Sequence, residues 1–194
     1  MTAPRVVLGI AGASGAALGL SVARQLAQIG AEVDLVTSAA AGRTLDTECG
    51  ADAQGELRRL VARWHDIADI GASIASGSVP VAGMIVAPCS MRSLAAIAHG
   101  LDDNLLTRAA SVQLKERRRL ILLTREAPLT LAHLRNMTAA TETGAILLPP
   151  VPAFYLNPQS VADIVDQIAA RAIDLLAITR PLAHQWADPA ALQV

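Results

Sequence analysis

Short apolar runs alternate with amphipathic stretches along this chain. Residues 6–10 (VVLGI) predict a buried strand, and the apolar spacing of residues 16–29 predicts the helix that follows it. Four further runs, AEVDLVTS, GMIVAP, RLILLTR and AILLPP, predict strands, and the stretches between them predict helices. This alternation predicts an α/β fold in a single domain, residues 1–194: a three-layer, doubly wound parallel sheet flanked by helices.

The connection between the second and third predicted strands is the longest. AAGRTLDTE and ELRRLVARW each predict a helix, and IGASIASGSVPVA, rich in Gly and Ser, predicts a functional loop that contains a helical turn. Near the chain end, residues 160–178 predict the last helix, which Ser160 can start.

In doubly wound sheets, ligands bind at the carboxyl ends of the strands, where the strand order reverses. That rule selects five places: residues 12–15, Ser38, residues 88–93, residues 124–128 and residues 149–155. These segments also have the least regular composition in the chain. Their coincidence predicts one binding site along this rim.

The small-residue turn GASGAALG joins the first strand to the first helix. Its backbone N–H groups at a helix N-terminus suit a phosphate, although close packing of the helix on the strand explains the same glycines. A dinucleotide is not expected, because the second strand ends in Thr37 and Ser38 rather than in an acid, and Asp34 lies in mid-strand.

The segment APCSMRSL offers a second anion site. Ser90 can cap the next helix, Ser93 adds a hydroxyl and Arg92 adds a charge. An ordinary helix cap with a solvated arginine is the alternative. Two helix N-termini and several hydroxyls together suit a mononucleotide with one phosphate and a polyol chain, and FMN meets that description.

Charged residues concentrate in LKERRRLILLTREAPL. Arg125 and Glu126 follow a buried strand at the rim, where they form either an anion clamp beside a proton-transfer group or a structural ion pair. Lys115 is the only lysine among 16 lysine and arginine residues. Lys115 is either a compact cation with a functional role or part of a solvated helix end.

The segment LLPPVPAFYLNP carries Phe154 and Tyr155 in a chain with 2% aromatic residues. An aromatic pair stiffened by prolines can cover a planar or allylic group, with the Tyr155 hydroxyl on a phosphate oxygen, or can fill a hydrophobic gap. Arg171, in the last helix, is either a surface residue or a second phosphate ligand.

Composition narrows the class of partner. With 53% hydrophobic and 17% charged residues, part of the surface is expected to face other subunits of a homo-oligomer, and a net charge of −1 predicts no nucleic acid or anionic membrane as partner. The uncharged residues 6–23 and 70–91 are interrupted by Gly, Ser or Pro, so neither is expected to be a membrane span or a secretion signal. Cys49 and Cys89 fit a reducing cytoplasm, and four scattered histidines predict no metal site.

Several motifs together resemble one known family. GASG, ASGS, PCSMRSL, LLTRAASVQLKERR, REAPL, HLRNM and PPVPAFY, with Ser38 at a strand end, are similar to those of the flavin prenyltransferases, UbiX and its relatives associated with phenolic acid decarboxylases. The resemblance covers about residues 5–186. It implies a Rossmann-like (flavodoxin-like) FMN domain, assembled as trimers within a dodecamer, with sites at subunit contacts.

The same resemblance implies an activity. Members of the family transfer the dimethylallyl group of dimethylallyl monophosphate to reduced FMN, first at flavin N5 and then at C6, without a metal. The product, prenylated FMN, is handed to UbiD-type decarboxylases.

The resemblance also implies roles for individual residues. Trp186 matches an aromatic residue in a C-terminal segment, about residues 180–194, that packs over the site. The implied catalytic residues are Ser14, Glu48, Lys115 and Glu126. The implied FMN ligands are Gly12, Ala13, Ser14, Ser38, Ser90, Met91, Arg92, Ser93 and Arg125. The implied substrate-binding residues are Lys115, Tyr155 and Arg171, which hold the prenyl phosphate, and Trp186, which covers the site.

Two alternatives stay open on the sequence alone. FMN-dependent oxidative decarboxylases of cysteine-type substrates share the core but carry an Asn in a PASANT-like turn, where this chain has PCSMRS. A flavin-binding partner subunit without catalysis would keep the same fold. Some relatives have an aromatic residue in the loop before ASGS, whereas this chain has Ile67 and Ile70 there and Val79 after it, which leaves the accepted prenyl chain length open.

Overall fold

The computed structural model describes residues 3–186, which form a three-layer α/β fold. The strands are β1 (Arg5–Ile10), β2 (Glu32–Thr37), β3 (Arg63–His65), β4 (Gly83–Cys89), β5 (Arg119–Thr124) and β6 (Ile146–Leu147). The helices are α1 (Ala16–Gln28), α2 (Ala41–Cys49), α3 (Ala53–Leu60), α4 (Met91–Ala98), α5 (Leu105–Lys115), α6 (Leu131–Glu142) and α7 (Val161–Asp174). Short 3-10 helices cover Ser73–Ala75 and Phe154–Leu156.

The sheet is parallel throughout, with the strand order β3-β2-β1-β4-β5-β6. From β1 the chain winds outward through β2 and β3, then crosses to β4 on the other side of β1 and winds outward again. This topology confirms the doubly wound sheet. The strand order reverses between β1 and β4, so the carboxyl ends of these two strands flank the crevice in which such folds bind ligands.

An apolar cluster lies on each face of the sheet. Because strand side chains alternate between the faces, Leu8 of β1 packs among α1, α2, α3 and α7, whereas Val7 packs among α4, α5 and α6. Leu26 and Leu106 are the corresponding buried residues of α1 and α5. Each fully buried aliphatic side chain of this kind contributes about 2 kcal/mol to folding. The two clusters hold the helices rigidly over both faces.

The helix α1 packs directly on β4 through Gly19. A Cβ atom at this position would overlap the carbonyl oxygen of Ala87, so only glycine allows the helix to approach so closely. Gly19 therefore serves helix-on-strand packing, which the sequence offered as the alternative to phosphate binding.

The described residues contain one strand more than the sequence predicts. ELRRLVARW predicts a helix throughout, but α3 ends at Leu60, Val61 is extended (φ −103°, ψ 147°) and β3 begins at Arg63. β3 pairs with β2 because Arg63 Nε donates to the buried carboxylate of Asp34 (2.8 Å), which also lies 2.7 Å from His65 Nε2. Asp34, which lies 29 residues before Arg63, thus determines that the charged segment around Arg63 forms a strand.

The other predicted elements are present, with small differences at their ends. Ser160 caps α7 by accepting a hydrogen bond from the Asp163 N–H (3.1 Å), although the helix ends at Asp174 rather than near residue 178. The predicted helical turn in the long loop is the 3-10 helix Ser73–Ala75. Among residues 3–186, no helix has the length and hydropathy that a membrane crossing requires.

Candidate functional site

Four loops meet at the carboxyl edge of the sheet, around the switch point between β1 and β4. Backbone hydrogen bonds extend the strand pairing into these loops. The pairs are Ala11 N to Pro88 O (3.1 Å), Ser38 N to Ile10 O (2.9 Å) and Arg125 N to Cys89 O (3.2 Å). The structure therefore brings together the predicted rim segments that follow β1, β2, β4 and β5.

In the turn after β1, the N-terminus of α1 has an acceptor within the protein. The sequence predicts instead that these N–H groups are free to bind a ligand. The carboxylate of Glu48, at the end of α2, accepts hydrogen bonds from the N–H groups of Gly15 and Ala16, both at 2.8 Å. A protein carboxylate thus already occupies the positive end of α1. Gly12 is packed against Ala40, which a Cβ atom at Gly12 would overlap. The N–H groups of Gly15 and Ala16 thus have an acceptor within the protein, and the roles of Gly12, Ala13 and Ser14 as ligands stay a prediction.

Glu48 also holds the hydroxyl of Ser14, an exposed residue at the top of this turn. Partial burial raises the pKa of Glu48, but the hydrogen bonds from Ser14, Gly15 and Ala16 and the positive charge of Arg125 outweigh it and lower the pKa. Glu48 is therefore ionised and orients Ser14. The charge of Arg125 acts on Glu48, so the loop after β5 faces the same crevice.

The N-terminus of α4 is the helix end that remains for an anion. Ser90 Oγ accepts the Ser93 N–H at 3.2 Å, as the sequence predicts for a cap. The first turn of a helix has no intrahelical acceptors, which leaves the N–H groups of Met91 and Arg92 as donors. The Arg92 side chain is 58% exposed and forms an ion pair with Asp103, so it resembles the solvated arginine of the alternative interpretation.

Two buried hydroxyl groups at this rim have no hydrogen-bond partner within the described residues. They are Ser38 Oγ, just after β2, and Thr124 Oγ1, at the end of β5. Buried hydroxyls are normally paired, so unpaired ones beside a crevice suit a ligand rich in hydrogen-bonding oxygens. A phosphate with a polyol chain, as in FMN, fits this donor set. Thr124 is missing from the predicted ligands, although its signal, a polar residue that ends a buried strand, is visible in the sequence.

Arg125 and Glu126 do not pair with each other. No ion pair between them is found in the described part of the chain, and the Glu126 carboxylate accepts the Ala127 N–H (3.1 Å). Both side chains are exposed above the end of β5. The structural ion pair is therefore not formed, and both charges remain accessible at the rim.

Lys115 and Arg171 lie at the opposite edge of the sheet. Lys115 ends α5, just before the start of β5, and Arg171 lies in the last turn of α7, beside the start of β4 and β5. Six-residue strands separate the two edges by about 17 Å at ~3.3 Å per residue, which exceeds the reach of either side chain. The two residues also lie on opposite faces of the sheet. The structure does not bring them to the rim of their own chain.

Tyr155 and Trp186 contact each other near the end of β6. Their ring centroids are 5.0 Å apart at 78°, an edge-to-face arrangement. Trp186 (72%) and Phe154 (76%) stay largely exposed, and Tyr155 is 44% exposed. The predicted cover over the site is described only up to Trp186, and residues 187–194 lie outside the described residues.

The described residues contain no group of His, Cys, Asp and Glu that could hold a metal ion. Asp102 accepts hydrogen bonds from Arg108 (3.0 Å) and Ser111, and Asp103 pairs with Arg92. Asp102 and Asp103 therefore both have hydrogen-bond or ion-pair partners within the protein.

Comparisons with known proteins agree on one family. A family model described as Flavoprotein matches residues 1–173. The chain is 50% identical over 182 residues to the flavin prenyltransferase UbiX of Thauera aromatica, covering 94% of this chain and 93% of that protein. The structure of AnUbiX (PadA1) in complex with FMN and dimethylallyl pyrophosphate has a TM-score of 0.92 and 42% identity, covering 96% of this chain and 99% of that one. A dodecameric FMN-dependent UbiX-like decarboxylase from Escherichia coli O157:H7 has a TM-score of 0.89 and 40% identity, covering 95% and 100%.

Proposed function

The chain belongs to the UbiX family of flavin prenyltransferases, and on that premise we propose that it transfers the dimethylallyl group of dimethylallyl monophosphate to N5 and C6 of reduced FMN. The observation that carries the proposal is the crevice between β1 and β4, where Ser14, Ser38 and Thr124 present hydroxyls beside the open N-terminus of α4. This donor set suits one flavin mononucleotide.

The proposed FMN ligands are residues of the rim. The α4 N-terminus, with Ser90, Met91, Arg92 and Ser93, provides N–H and hydroxyl donors. Gly12, Ala13, Ser38 and Arg125 complete the set. Glu48 holds the hydroxyl of Ser14 by a hydrogen bond. This fixed orientation suits a residue that contacts the reacting edge of the flavin ring.

Reduced FMN, when bound, supplies the nucleophilic ring atoms that receive the dimethylallyl group. The side chains of this protein are proposed to contribute positive charge to the reaction. Lys115 and Arg171 are proposed to bind the phosphate of the donor, where cations stabilise the negative charge that develops as the carbon–oxygen bond breaks, so that no metal is required. The Tyr155 hydroxyl is proposed to bind the same phosphate, and Trp186 to cover the site. The Ser14–Glu48 pair and the Glu126 carboxylate are proposed to move protons.

This assignment requires more than one copy of the chain. Lys115 and Arg171 lie at the amino edge of the sheet, so neighbouring copies must bring them to the rim of another copy. Exposed apolar side chains suit burial between copies. They include Leu131 (61%), Val151 (69%), Phe154 (76%) and Trp186 (72%). We propose the trimer-based dodecamer expected from the sequence.

The proposed product is prenylated FMN, supplied to a UbiD-type decarboxylase. We place the enzyme in the cytoplasm, and the unpaired state of Cys49 and Cys89 supports a reducing compartment.

One incubation tests the reaction. Purified protein, reduced FMN and dimethylallyl monophosphate are combined without oxygen and with EDTA, and the flavin is analysed by mass spectrometry. We expect a flavin that has gained one dimethylallyl group, and none when oxidised FMN is used. An unmodified flavin with both the monophosphate and dimethylallyl pyrophosphate would contradict the proposal and favour a flavin carrier. Decarboxylation of a cysteine-ended peptide with reduction of FMN would favour the oxidative decarboxylase.

We expect Glu48→Gln to lower kcat by about 10-fold or more while the Kd for FMN stays unchanged, because the neutral amide holds Ser14 but no longer attracts its proton. Single-turnover rates and flavin titrations measure the two effects. Asp46→Asn, a change at an exposed carboxylate on the same helix that binds only Gln54, is the matched control. An unchanged rate in Glu48→Gln would remove Glu48 from the proton-transfer groups.

A further inference from the structure

The loop of residues 66–82, between β3 and β4, is held by arginines from outside it. Arg5 donates to Ser73 Oγ (2.9 Å) and Arg108 to the carbonyl of Ala75 (3.2 Å). Arg118 makes two such bonds, to the carbonyls of Gly77 (2.7 Å) and Val79 (3.0 Å). Each bond has an ionised donor and a neutral acceptor, a type stronger than a neutral pair. The ASGS part of the loop, residues 75–78, is therefore fixed in place although only Ala75 belongs to a helix, the 3-10 helix Ser73–Ala75.

Gly77 faces the end of α5 in the same chain. A Cβ atom on Gly77 would lie 2.5 Å from Lys115 Nζ and would overlap the Glu116 carboxylate. Real Cβ atoms do not approach other heavy atoms so closely. The Glu116 carboxylate and the Lys115 ammonium therefore fill the space beside Gly77, and a methyl group at residue 77 would move these two side-chain ends.

Glu116 contacts this ammonium directly, and Arg118 holds the loop residues beside it. Arg118 fixes the position of Gly77 because it donates hydrogen bonds to the carbonyls of Gly77 and Val79. Glu116 forms an ion pair with Lys115, and the hydrogen bond from Lys115 lowers the pKa of Glu116. Lys115 is 49% exposed. Gly77 and Glu116 lie against the end of this flexible lysine, and Arg118 acts on it only through the position of Gly77.

We propose that Gly77 and Arg118 are positioning residues for Lys115: they fix the place from which its ammonium binds the phosphate of the prenyl donor in a neighbouring copy. The proposal rests on the proposed function for the role of Lys115. A side chain at residue 77, or a loop freed from Arg118, would displace the ammonium from the donor phosphate. FMN binding would be unaffected, because the ammonium is proposed to contact the donor phosphate and no group of FMN.

Gly77→Ala tests the proposal. We expect the Kd of dimethylallyl monophosphate, measured by calorimetry on protein loaded with oxidised FMN, to rise by about 10-fold, the loss of one charge-assisted contact. KM should rise in parallel, and kcat and the Kd for FMN should stay within about twofold. Gly71→Ala is the matched control in the same loop, because a Cβ atom there would make only an ordinary contact at 3.5 Å with Asp69.

Arg118→Ala gives a second, independent arm, with Arg118→Lys as the conservative variant. We expect the alanine variant to weaken prenyl-phosphate binding as Gly77→Ala does, and the lysine variant to restore most of it. Thermal unfolding identifies any variant that merely fails to fold, and the remaining arm then decides. Normal binding of the donor by folded Gly77→Ala and Arg118→Ala would overturn the proposal.

A double-mutant cycle separates this inference from the proposed function. If Gly77 acts through Lys115, adding Gly77→Ala to Lys115→Ala should cause no further loss, whereas independent effects would add. Normal use of the donor by Lys115→Ala alone would refute the assigned role of Lys115. Impaired Lys115→Ala together with normal Gly77→Ala would refute only the positioning role.

Discussion

Lys115→Ala is expected to lower kcat/KM for dimethylallyl monophosphate by about 100-fold or more, the typical loss when one preorganised donor to a developing negative charge is removed. The Kd for FMN should change by less than about twofold, because Lys115 is proposed to contact the phosphate of the donor and no group of FMN. Stopped-flow measurement of flavin prenylation and equilibrium titration with FMN separate the two effects.

Arg117→Ala is the matched control for this experiment. Arg117 is an exposed cation two residues from Lys115, and its removal changes the net charge of the same helix end. We expect its kinetics to match the wild type, which would exclude a general loss of electrostatic attraction. Equal losses of FMN binding and of prenyl transfer in Lys115→Ala would contradict the assignment.

The position of Lys115 also illustrates what one sequence can predict. The rim segments follow from the pattern alone, because locating the apolar strands is enough to locate their carboxyl ends. The position of Lys115 follows from the pattern too, because a helix that leads into a parallel strand must end at the amino edge of the sheet. A single chain nevertheless does not encode where a second copy docks, so neither Lys115 nor Arg171 can be placed against a phosphate from sequence alone.

Long-range contacts explain the elements that the sequence predicts wrongly. The Glu48 carboxylate caps α1 across 33 residues, and no local pattern marks a glutamate at the end of one helix as the cap of another. The strand β3 is similar, since Arg63 and His65 suit a helix surface until the carboxylate of Asp34 is placed beside them. Thr124 differs, because the sequence places its segment at the rim and only the structure shows that its hydroxyl has no hydrogen-bond partner among residues 3–186.

Asp34 is the most completely buried charge in this network. Its side chain is 0% exposed in the middle of β2, and it accepts hydrogen bonds from Arg5 (2.6 and 3.1 Å), Arg63 (2.8 Å) and His65 (2.7 Å). Through these partners it connects β1, β2 and the edge strand β3, and Arg5 extends the network to Ser73 in the 66–82 loop. Its mid-strand position matches the sequence-based argument that it cannot serve a dinucleotide ribose.

We expect Asp34→Asn to destabilise the fold by about 3 kcal/mol, the lower end of the cost of breaking a buried ion pair, because Arg63 is 40% exposed and water can partly solvate it. Urea denaturation followed by circular dichroism measures the loss. Asp52→Asn, which removes a surface pair with Arg59, is the control and should leave the unfolding midpoint unchanged. A variant as stable as the wild type would show that the buried charge contributes nothing net.

Acid unfolding gives a second test of the same network. Burial raises the pKa of Asp34, but the hydrogen bonds from Arg5, Arg63 and His65 outweigh it and lower the pKa from 3.8 to about 2. A carboxyl whose pKa is lower in the folded state stabilises the fold above its unfolded pKa, and this stability is lost as the pH falls through the folded pKa. We therefore expect about 2 kcal/mol to disappear between about pH 4 and pH 2. Because other carboxylates titrate in the same range, the informative quantity is the difference between the wild type and Asp34→Asn. This difference should shrink across that interval, and a constant difference would contradict the role of the Asp34 charge.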